Sequence, residues 1–201
     1  MIRLLLADDQ ALVRGAMAAL LGLEPDLEVV AEVGRGDEVL SAVVRHQPDV
    51  CVLDIEMPGL DGIEATAGLK AAGLATRILV VTTFGRPGYL RRALEAGASG
   101  FVVKDTPAAQ LADAVRRVHA GLRVVDPQLA QESLVGGPNP LSEREVDVLR
   151  LAVQGDSASS IAKALFLSAG TVRNHLSSAI GKTGAATSIE AALIARDNGW
   201  L

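Results

Sequence analysis

The sequence predicts two domains: an α/β domain with a five-stranded parallel sheet, then an all-α domain of four helices. Along the first 120 residues, short apolar β-branched runs alternate with segments of helical spacing, which is typical of a parallel sheet covered on both faces. A Gly/Pro-rich stretch at 135–140 indicates a linker, and no strand pattern follows it. We therefore expect domains at 1–120 and 141–201, joined by a short helix and linker at 121–140.

The predicted strands are short, apolar and rich in β-branched residues. They are Ile2–Ala7, Glu28–Val33, Asp49–Leu53, Arg77–Thr83 and Gly100–Val103. The third and fourth are continuously apolar, which is typical of central strands that are buried on both faces.

The helices of the first domain are predicted from apolar residues that recur every three or four positions. They are Gln10–Leu21, Gly36–His46, Gly62–Ala72, Pro87–Ala96 and Pro107–Ala120. We expect the last of them to start at Pro107 with Thr106 as its N-cap. A short extra helix is predicted at Asp126–Glu132.

Four helices are predicted for the second domain. They are Leu141–Gln154, Ser157–Leu165, Ala169–Lys182 and Ser188–Asn198. Ser142 followed by Glu145 is the pattern of a capping box, in which each side chain binds the other residue's backbone N–H. Ser168 stands where it can cap the third of these helices.

Composition excludes several kinds of site. With one cysteine the chain can form neither an internal disulfide nor a thiolate cluster for zinc. Aromatic residues make up 2% of the chain, too few for a platform on which bases stack. The net charge of −5 lies within residues 1–137, because residues 138–201 carry six basic and six acidic residues. Any binding to DNA must therefore rest on a local patch.

No apolar stretch approaches the roughly 20 residues that span a bilayer. The apolar run Ile2–Leu6 is also too short for the core of a signal peptide. We therefore expect a cytoplasmic protein with no direct membrane insertion.

Polar residues stand where four of the five predicted strands end. Asp8 and Asp9 follow the first strand, Asp54 the third and Lys104 the fifth, and Thr82-Thr83 ends the fourth. Open parallel sheets carry their chemistry at the carboxyl ends of the strands, so these side chains should converge. Taken singly, Asp9 could be a helix N-cap, Thr82 an ordinary strand residue and Lys104 a solvated surface charge.

Three carboxylates at close quarters repel one another and call for a cation. Oxygen ligands with room for water suit Mg²⁺, which accepts phosphate as a further ligand. A carboxylate in such a site can act as a nucleophile towards phosphorus and form an aspartyl phosphate. A lysine nearby would neutralise charge on the phosphoryl oxygens, and a threonine hydroxyl could donate to one of them.

These residues resemble the receiver domains of two-component systems. The resemblance covers 1–120 and is carried by Asp8-Asp9, by Leu53–Gly62, by Thr82 and by Gly97–Lys104. It implies a flavodoxin-like fold with Asp54 as the phosphorylation site. It also implies that Mg²⁺ is held by Asp8, Asp9, Asp54 and the backbone carbonyl of Glu56. Thr82, Phe101 and Lys104 match the switch and phosphate-contact positions of that family.

The segment Ile161–Leu176 has the pattern of two helices joined by a tight turn. Apolar residues fall on the inward faces, while Arg173, Asn174 and Ser177 face outward. Arginine reads guanine and asparagine reads adenine in the major groove, so these residues suit a recognition helix. Thr171, His175 and Lys182 suit phosphate contacts, and Ser168 is a further candidate for contact with DNA. An ordinary helical hairpin would have the same spacing.

The second domain closely resembles the LuxR-type helix-turn-helix. Its matching residues are Leu141–Leu149, Gly155, Ile161-Ala162 and Ser168–Leu176. Together with a receiver, this implies a response regulator of the NarL/FixJ class, and Thr82–Tyr89 and Asn198–Trp200 resemble the DesR-like subgroup. The resemblance implies a sensor histidine kinase, promoter DNA and a homodimer as partners, and its fourth helix commonly mediates dimerisation. Alanines and threonines replace some usual polar or basic positions, which predicts modest DNA affinity in a monomer.

Two alternatives remain open at this point. The chain could bind DNA without control by phosphorylation, although it has each acid and the lysine that the receiver chemistry needs. It could instead be a metal-dependent phosphohydrolase, with Asp54 as nucleophile and Glu56 as general acid/base. We expect no enzyme, because receiver chemistry is self-phosphorylation rather than turnover of an external substrate.

Overall fold

The structure is a computed structural model. It describes residues 1–83, 87–127, 129–130 and 139–201. Most of the predicted linker, and part of the helix predicted at Asp126–Glu132, lie outside these residues. No helix in the described ranges is long and apolar enough to cross a lipid bilayer.

The chain forms two compact units. The first comprises Met1–Gly85 with Leu90–Ala130, and the second comprises Gln131–Leu201 with Arg86–Tyr89. Each unit has its own buried apolar residues.

A parallel sheet forms the centre of the first unit. Its strands are β1 (Ile2–Ala7), β2 (Leu27–Val33), β3 (Val50–Asp54), β4 (Arg77–Thr82), β5 (Gly100–Val103) and β6 (Val124–Val125). They lie in the order β2-β1-β3-β4-β5-β6, and every pair is parallel. The predicted α/β class and parallel sheet are confirmed, but the predicted count of five strands is one too low. The two residues of β6 are too short to produce a recognisable alternation in the sequence.

Five helices connect these strands. They are α1 (Ala11–Leu21), α2 (Gly36–His46), α3 (Gly62–Ala71), α4 (Pro87–Glu95) and α5 (Ala108–His119). The predicted N-cap of α5 is wrong. Pro107 itself is the N-cap, because its ψ of 143° is extended rather than helical, and it has no side-chain acceptor to offer. Thr106 lies one residue before the cap.

The strand order places the candidate site. β1 lies between β2 and β3, so the chain connections diverge to opposite sides of the sheet at β1 and β3. Ligands of open α/β sheets bind at the carboxyl ends of the strands where this divergence occurs. Every residue of β3 is buried, and the last four of β1 are too. The strand ends at the site are therefore fixed by the core beneath them.

Residues 139–201 of the second unit form four helices. They are α6 (Glu143–Ala152), α7 (Ala158–Ala164), α8 (Ala169–Thr183) and α9 (Ser188–Asp197). Ser142 and Glu145 form the predicted capping box at the start of α6. Ser168 caps α8 as predicted, by accepting a hydrogen bond from the Thr171 backbone N–H. Short polar caps thus define where these helices begin.

Two apolar clusters hold the second unit together. In one, Val148 of α6 packs with Ile161 of α7 and Val172 of α8. In the other, Leu149 of α6 packs with Ala179 of α8 and with alanines of α9. Since α6 and α8 contribute to both clusters, they join the two clusters into one packed unit.

Phe166 in the turn between α7 and α8 has an unfavourable conformation. Its φ of +56° is left-handed, and its side chain is 96% exposed. A left-handed backbone costs most residues about 1–2 kcal/mol, whereas asparagine adopts it more readily. The exposed phenyl ring offers no compensating burial.

We expect Phe166→Asn to raise the free energy of unfolding of the second unit by about 0.5–1 kcal/mol. Urea unfolding of the full chain followed by Trp200 fluorescence measures this, because Trp200 packs against an apolar cluster of that unit. Phe166→Ala is the control. It removes the ring but keeps the strain, so equal stabilisation by both variants would contradict the backbone explanation.

Candidate functional site

Three aspartates converge at the carboxyl ends of β1 and β3. Asp8, Asp9 and Asp54 each offer a carboxylate oxygen, and these oxygens lie within 4.8 Å of one another. Asp8 and Asp54 are buried, whereas Asp9 is exposed. The N-cap of α1 is Gln10 rather than Asp9. The alternative in which Asp9 only caps that helix is therefore wrong.

The backbone and one close glycine fix Asp54. Its Oδ1 accepts a hydrogen bond from the Ile55 backbone N–H at 2.8 Å. Gly62, the first residue of α3, packs directly on the main chain of Asp54, and a Cβ there would lie 2.0 Å from the Asp54 carbonyl oxygen. Only glycine allows this approach, so Gly62 lets α3 begin directly against the aspartate.

Lys104 lies between two of the aspartates. Its Nζ is 2.7 Å from Oδ2 of Asp8 and 2.9 Å from Oδ2 of Asp54, and its side chain is only 9% exposed. It is therefore not the solvated surface charge that one alternative allowed.

Burial raises the pKa of the Asp54 carboxyl group, and the nearby Asp8 charge raises it further, while Lys104 and the Ile55 N–H oppose the shift. Burial also tends to lower the pKa of Lys104, but its two carboxylate partners outweigh this and leave that pKa raised. The lysine therefore stays charged beside the buried acids.

The other predicted residues of this site lie around the aspartates. Thr82 ends β4 and is buried, whereas Thr83 is exposed. The Lys104 backbone N–H donates to the Thr82 carbonyl oxygen at 2.7 Å, which joins these two positions. Phe101 on β5 is completely buried. Glu56 lies in the loop after β3 with its side chain exposed, which leaves the role of its backbone carbonyl a prediction.

The donor set fits a hard divalent cation. It consists of carboxylate oxygens with one open, exposed member, Asp9. Mg²⁺ is bound in proteins by one or a few carboxylates, with water and phosphate completing its octahedron. Among the residues that the structure describes, the cluster has only oxygen donors, whereas zinc sites are built mainly from sulfur and nitrogen ligands.

The predicted DNA-contacting residues lie on or just before α8. Ser168, Arg173, Asn174 and Ser177 are exposed, and Thr171 and His175 are half-buried. The Ser168 hydroxyl also lies 2.8 Å from that of Thr171, so these two hydroxyls form one polar group at the start of the helix. Exposure alone does not assign these residues to DNA, so their contacts with bases and phosphates stay a prediction.

Lys182 has a structural partner that the sequence did not reveal. Its Nζ donates to Oε2 of Glu145 at 2.7 Å, across 37 residues of sequence. Glu145 was predicted only as a capping-box residue, and such residues are usually exposed, but this one is 4% exposed. The pair joins the first turn of α6 to the last turn of α8. The sequence offers no signal for this pair beyond an acidic and a basic residue that are 37 positions apart.

Comparisons with known families identify both domains of the chain. The family model for the response regulator receiver domain matches residues 4–116. The model described as bacterial regulatory proteins of the luxR family matches residues 139–195. The chain belongs to the response regulators that combine a receiver with a LuxR-type DNA-binding domain, and it is a regulator of transcription.

Full-length relatives place it more narrowly. It is 43% identical over 201 residues to the uncharacterized transcriptional regulatory protein YvfU of Bacillus subtilis (strain 168), and the match covers 100% of both chains. It is 42% identical to the transcriptional regulatory protein DesR of the same strain, over 100% of this chain and 99% of the relative. The predicted resemblance to the NarL/FixJ class and its DesR-like subgroup is confirmed.

A solved structure supports the same assignment. The crystal structure of the response regulator ChrA, from a heme-sensing two-component system, matches with a TM-score of 0.60 and 36% identity. The match covers 100% of this chain and 98% of that one. A receiver followed by a helical DNA-binding domain is thus the architecture of this chain as well.

We expect Glu145 to make the second unit sensitive to acid. Burial works to raise the pKa of Glu145, but hydrogen bonds from Lys182, Ser178 and Ser142 outweigh it and lower the pKa from 4.5 to about 2. The ionised carboxylate therefore stabilises the fold above about pH 4.5, and this is lost as the pH falls towards 2. Glu145→Gln should lower the free energy of unfolding at pH 7 by on the order of 1–3 kcal/mol. The stability of this variant should then fall less than that of the wild type when the pH drops below 4.5.

Urea unfolding of both proteins at pH 7, 4.5 and 3, followed by Trp200 fluorescence, measures this difference. Glu190→Gln is the matched control. Glu190 also accepts a backbone N–H at a helix start, from Ala186 at 2.7 Å, but it is exposed. The same pH dependence in both variants would show that capping, rather than the buried ion pair, is responsible.

Proposed function

We propose that this response regulator is phosphorylated on Asp54 by a sensor histidine kinase, and that phosphorylation promotes dimerisation and sequence-specific binding to promoter DNA. The observation that carries the proposal is the convergence of Asp8, Asp9 and Asp54 around Lys104 at one edge of the sheet. We assign the receiver to 1–120, the linker region to 121–140 and the DNA-binding domain to 141–201.

In the transfer step, an Asp54 carboxylate oxygen forms a bond to phosphorus as the P–N bond of the kinase's phosphohistidine breaks. The electron pair of that bond stays on the imidazole nitrogen. The Ile55 N–H and Lys104 hold the two Asp54 oxygens in defined directions, so the nucleophile is oriented before it reacts. Lys104 can then transfer its contact from Asp54 to a phosphoryl oxygen.

Asp8, Asp9 and Asp54, with the backbone carbonyl of Glu56, would hold Mg²⁺. The bound ion would neutralise charge on the carboxylates and on the transferring phosphoryl group. The exposure of Asp9 supports this assignment, because an incoming phosphoryl group and water need access to the site.

Thr82 and Phe101 would report the modification to the rest of the receiver. The Thr82 hydroxyl would donate to a phosphoryl oxygen, and the buried Phe101 would repack in response. In a close-packed interior such a change shifts an equilibrium between discrete states. Phosphorylation would thereby favour the state whose surface dimerises.

In the DNA-binding domain, α8 would enter the major groove. Arg173, Asn174 and Ser177 would contact base edges, because they are exposed and lie within about one turn of α8. The phosphate contacts would come from Ser168, Thr171, His175 and Lys182. Lys182 can keep its hydrogen bond to Glu145 and still bind a phosphate, because its ammonium group has three donors and its side chain is 39% exposed.

A second copy of the chain would pair through α9. Ile189 and Leu193 stand one helical turn apart on it, and they are 58% and 39% exposed. An apolar stripe of this kind suits burial against its own copy across a two-fold axis. Dimerisation would double the DNA contacts of a domain with zero net charge, and so raise its affinity.

We expect wild-type protein incubated with Mg²⁺ and acetyl phosphate to gain one phosphoryl group and to become a dimer, while Asp54→Asn does neither. Intact-protein mass spectrometry and size-exclusion chromatography with light scattering measure the two changes. Asp113→Asn, at an exposed aspartate of α5, should behave as wild type. A phosphorylated protein that remains a monomer by light scattering would contradict the dimer switch. Steady turnover of phosphomonoesters would indicate an enzyme instead.

We expect Ile189→Glu and Leu193→Glu to weaken binding to promoter DNA by roughly tenfold, because a buried charge opposes pairing through α9. Electrophoretic mobility shifts with phosphorylated protein measure the affinity and the stoichiometry. Val153→Glu replaces another 39%-exposed apolar residue of the same unit, the C-cap of α6 rather than a residue of α9. Equal losses in all three variants would show a general effect of added negative charge.

A further inference from the structure

Arg14 on α1 reaches back to the end of β1. Its Nη1 donates to the backbone carbonyl oxygen of Asp8 at 2.5 Å. Its Nε lies 3.5 Å from Oε2 of Glu32, near the end of β2. Nη1 would also lie 3.4 Å from a Cβ at Gly34. The guanidinium group is thus held among the ends of two neighbouring strands, and its side chain is 20% exposed.

The carbonyl that Arg14 holds belongs to the peptide between Asp8 and Asp9. A peptide unit is planar, so fixing the direction of its carbonyl oxygen also fixes its N–H and the Cα of the next residue. Arg14 therefore sets the direction in which the main chain carries Asp9.

Asp8 and Asp9 differ in how they are supported. The Asp8 carboxylate accepts the Gln10 N–H at 2.9 Å through Oδ1 and pairs with Lys104 through Oδ2. Asp9 is exposed and begins the turn into α1. The placement of Asp9 near the other two carboxylates thus depends on the peptide before it.

We propose that Arg14 is a positioning residue for the cation site: by holding the Asp8–Asp9 peptide it keeps both carboxylates at the spacing that binds Mg²⁺. The inference rests on the proposed function in one respect, that Asp8, Asp9 and Asp54 form the Mg²⁺ site. Arg14 itself touches neither the metal nor the phosphoryl group.

The sign of the effect separates positioning from electrostatics. A positive charge close to three carboxylates opposes the arrival of a cation, so removing it should tighten Mg²⁺ binding if charge alone matters. If Arg14 acts by positioning, its removal should weaken binding, as losing a group that orients a metal ligand commonly does by tenfold or more.

The test is isothermal titration calorimetry of Mg²⁺ into the full chain, for wild type, Arg14→Ala, Arg14→Lys and Glu32→Gln. We expect roughly a tenfold higher Kd for Arg14→Ala. Arg14→Lys should lose less Mg²⁺ affinity than Arg14→Ala, because an ammonium group can still donate to the carbonyl. Glu32→Gln should also lose less, because the hydrogen bond from Arg14 to the Asp8 carbonyl remains. In autophosphorylation by acetyl phosphate, Arg14→Ala should need more Mg²⁺ for half-maximal rate but reach a nearly normal maximal rate.

Arg3→Ala is the matched control. Arg3 also donates from its guanidinium to a backbone carbonyl, that of Gln47 at 3.2 Å, at the opposite edge of the sheet. The Mg²⁺ affinity of Arg3→Ala should equal that of the wild type even if the stability of this variant falls. Thermal unfolding of each variant is measured alongside to compare their stabilities.

An unchanged or lower Kd in a folded Arg14→Ala protein, or an equal loss in Arg3→Ala, would overturn the proposal. Failure of the wild type to bind Mg²⁺, or binding that survives Asp54→Asn and Asp9→Asn together, would instead refute the proposed cation site.

Discussion

The ion pairs of Lys104 with Asp8 and Asp54 are the constraint around which the first unit is arranged. Like charges at this spacing repel, and burial penalises each of them, so a buried cation has to accompany them. The strands supply the rest: β1 and β3 are neighbours with buried, apolar bodies, and their ends cannot separate without disrupting the core. The carboxylates therefore cannot move apart to relieve their repulsion, and the proposed metal ion and phosphoryl group would find their ligands already assembled.

Local devices then set the direction of each acid. Gly62 brings α3 against the Asp54 main chain, the Gln10 N–H binds the Asp8 carboxylate, and Arg14 holds the peptide between Asp8 and Asp9. None of the three residues belongs to the proposed cation site itself. Each restricts the conformation of a residue of that site, so the geometry of the site depends on the loops and first helical turns as much as on the strands.

The sequence predicted what is periodic or local and missed what is distant. Strand ends could be located because apolar runs end visibly, and the Ser142–Glu145 capping box and the Ser168 cap are short-range patterns. The two-residue β6 gives no periodicity, and the cap of α5 depends on a ψ angle that no residue type dictates. The contacts of Arg14 with Asp8 and of Lys182 with Glu145 join helices to other elements. Their geometry follows from packing, which a linear pattern does not contain.

Each unit contains a buried carboxylate paired with a distant lysine, yet the two pKa shifts have opposite signs. Asp54 lies deep beside a second acid, and burial with that charge raises its pKa despite Lys104. Glu145 has no acid beside it among the causes of its shift, and hydroxyl and backbone donors add to Lys182, so its pKa falls to about 2. A carboxylate satisfied on all sides stabilises a fold and has little reason to react. A carboxylate that is held beside another negative charge is stabilised when it binds a cation or forms a new bond. This difference suits Asp54 for chemistry and Glu145 for structure.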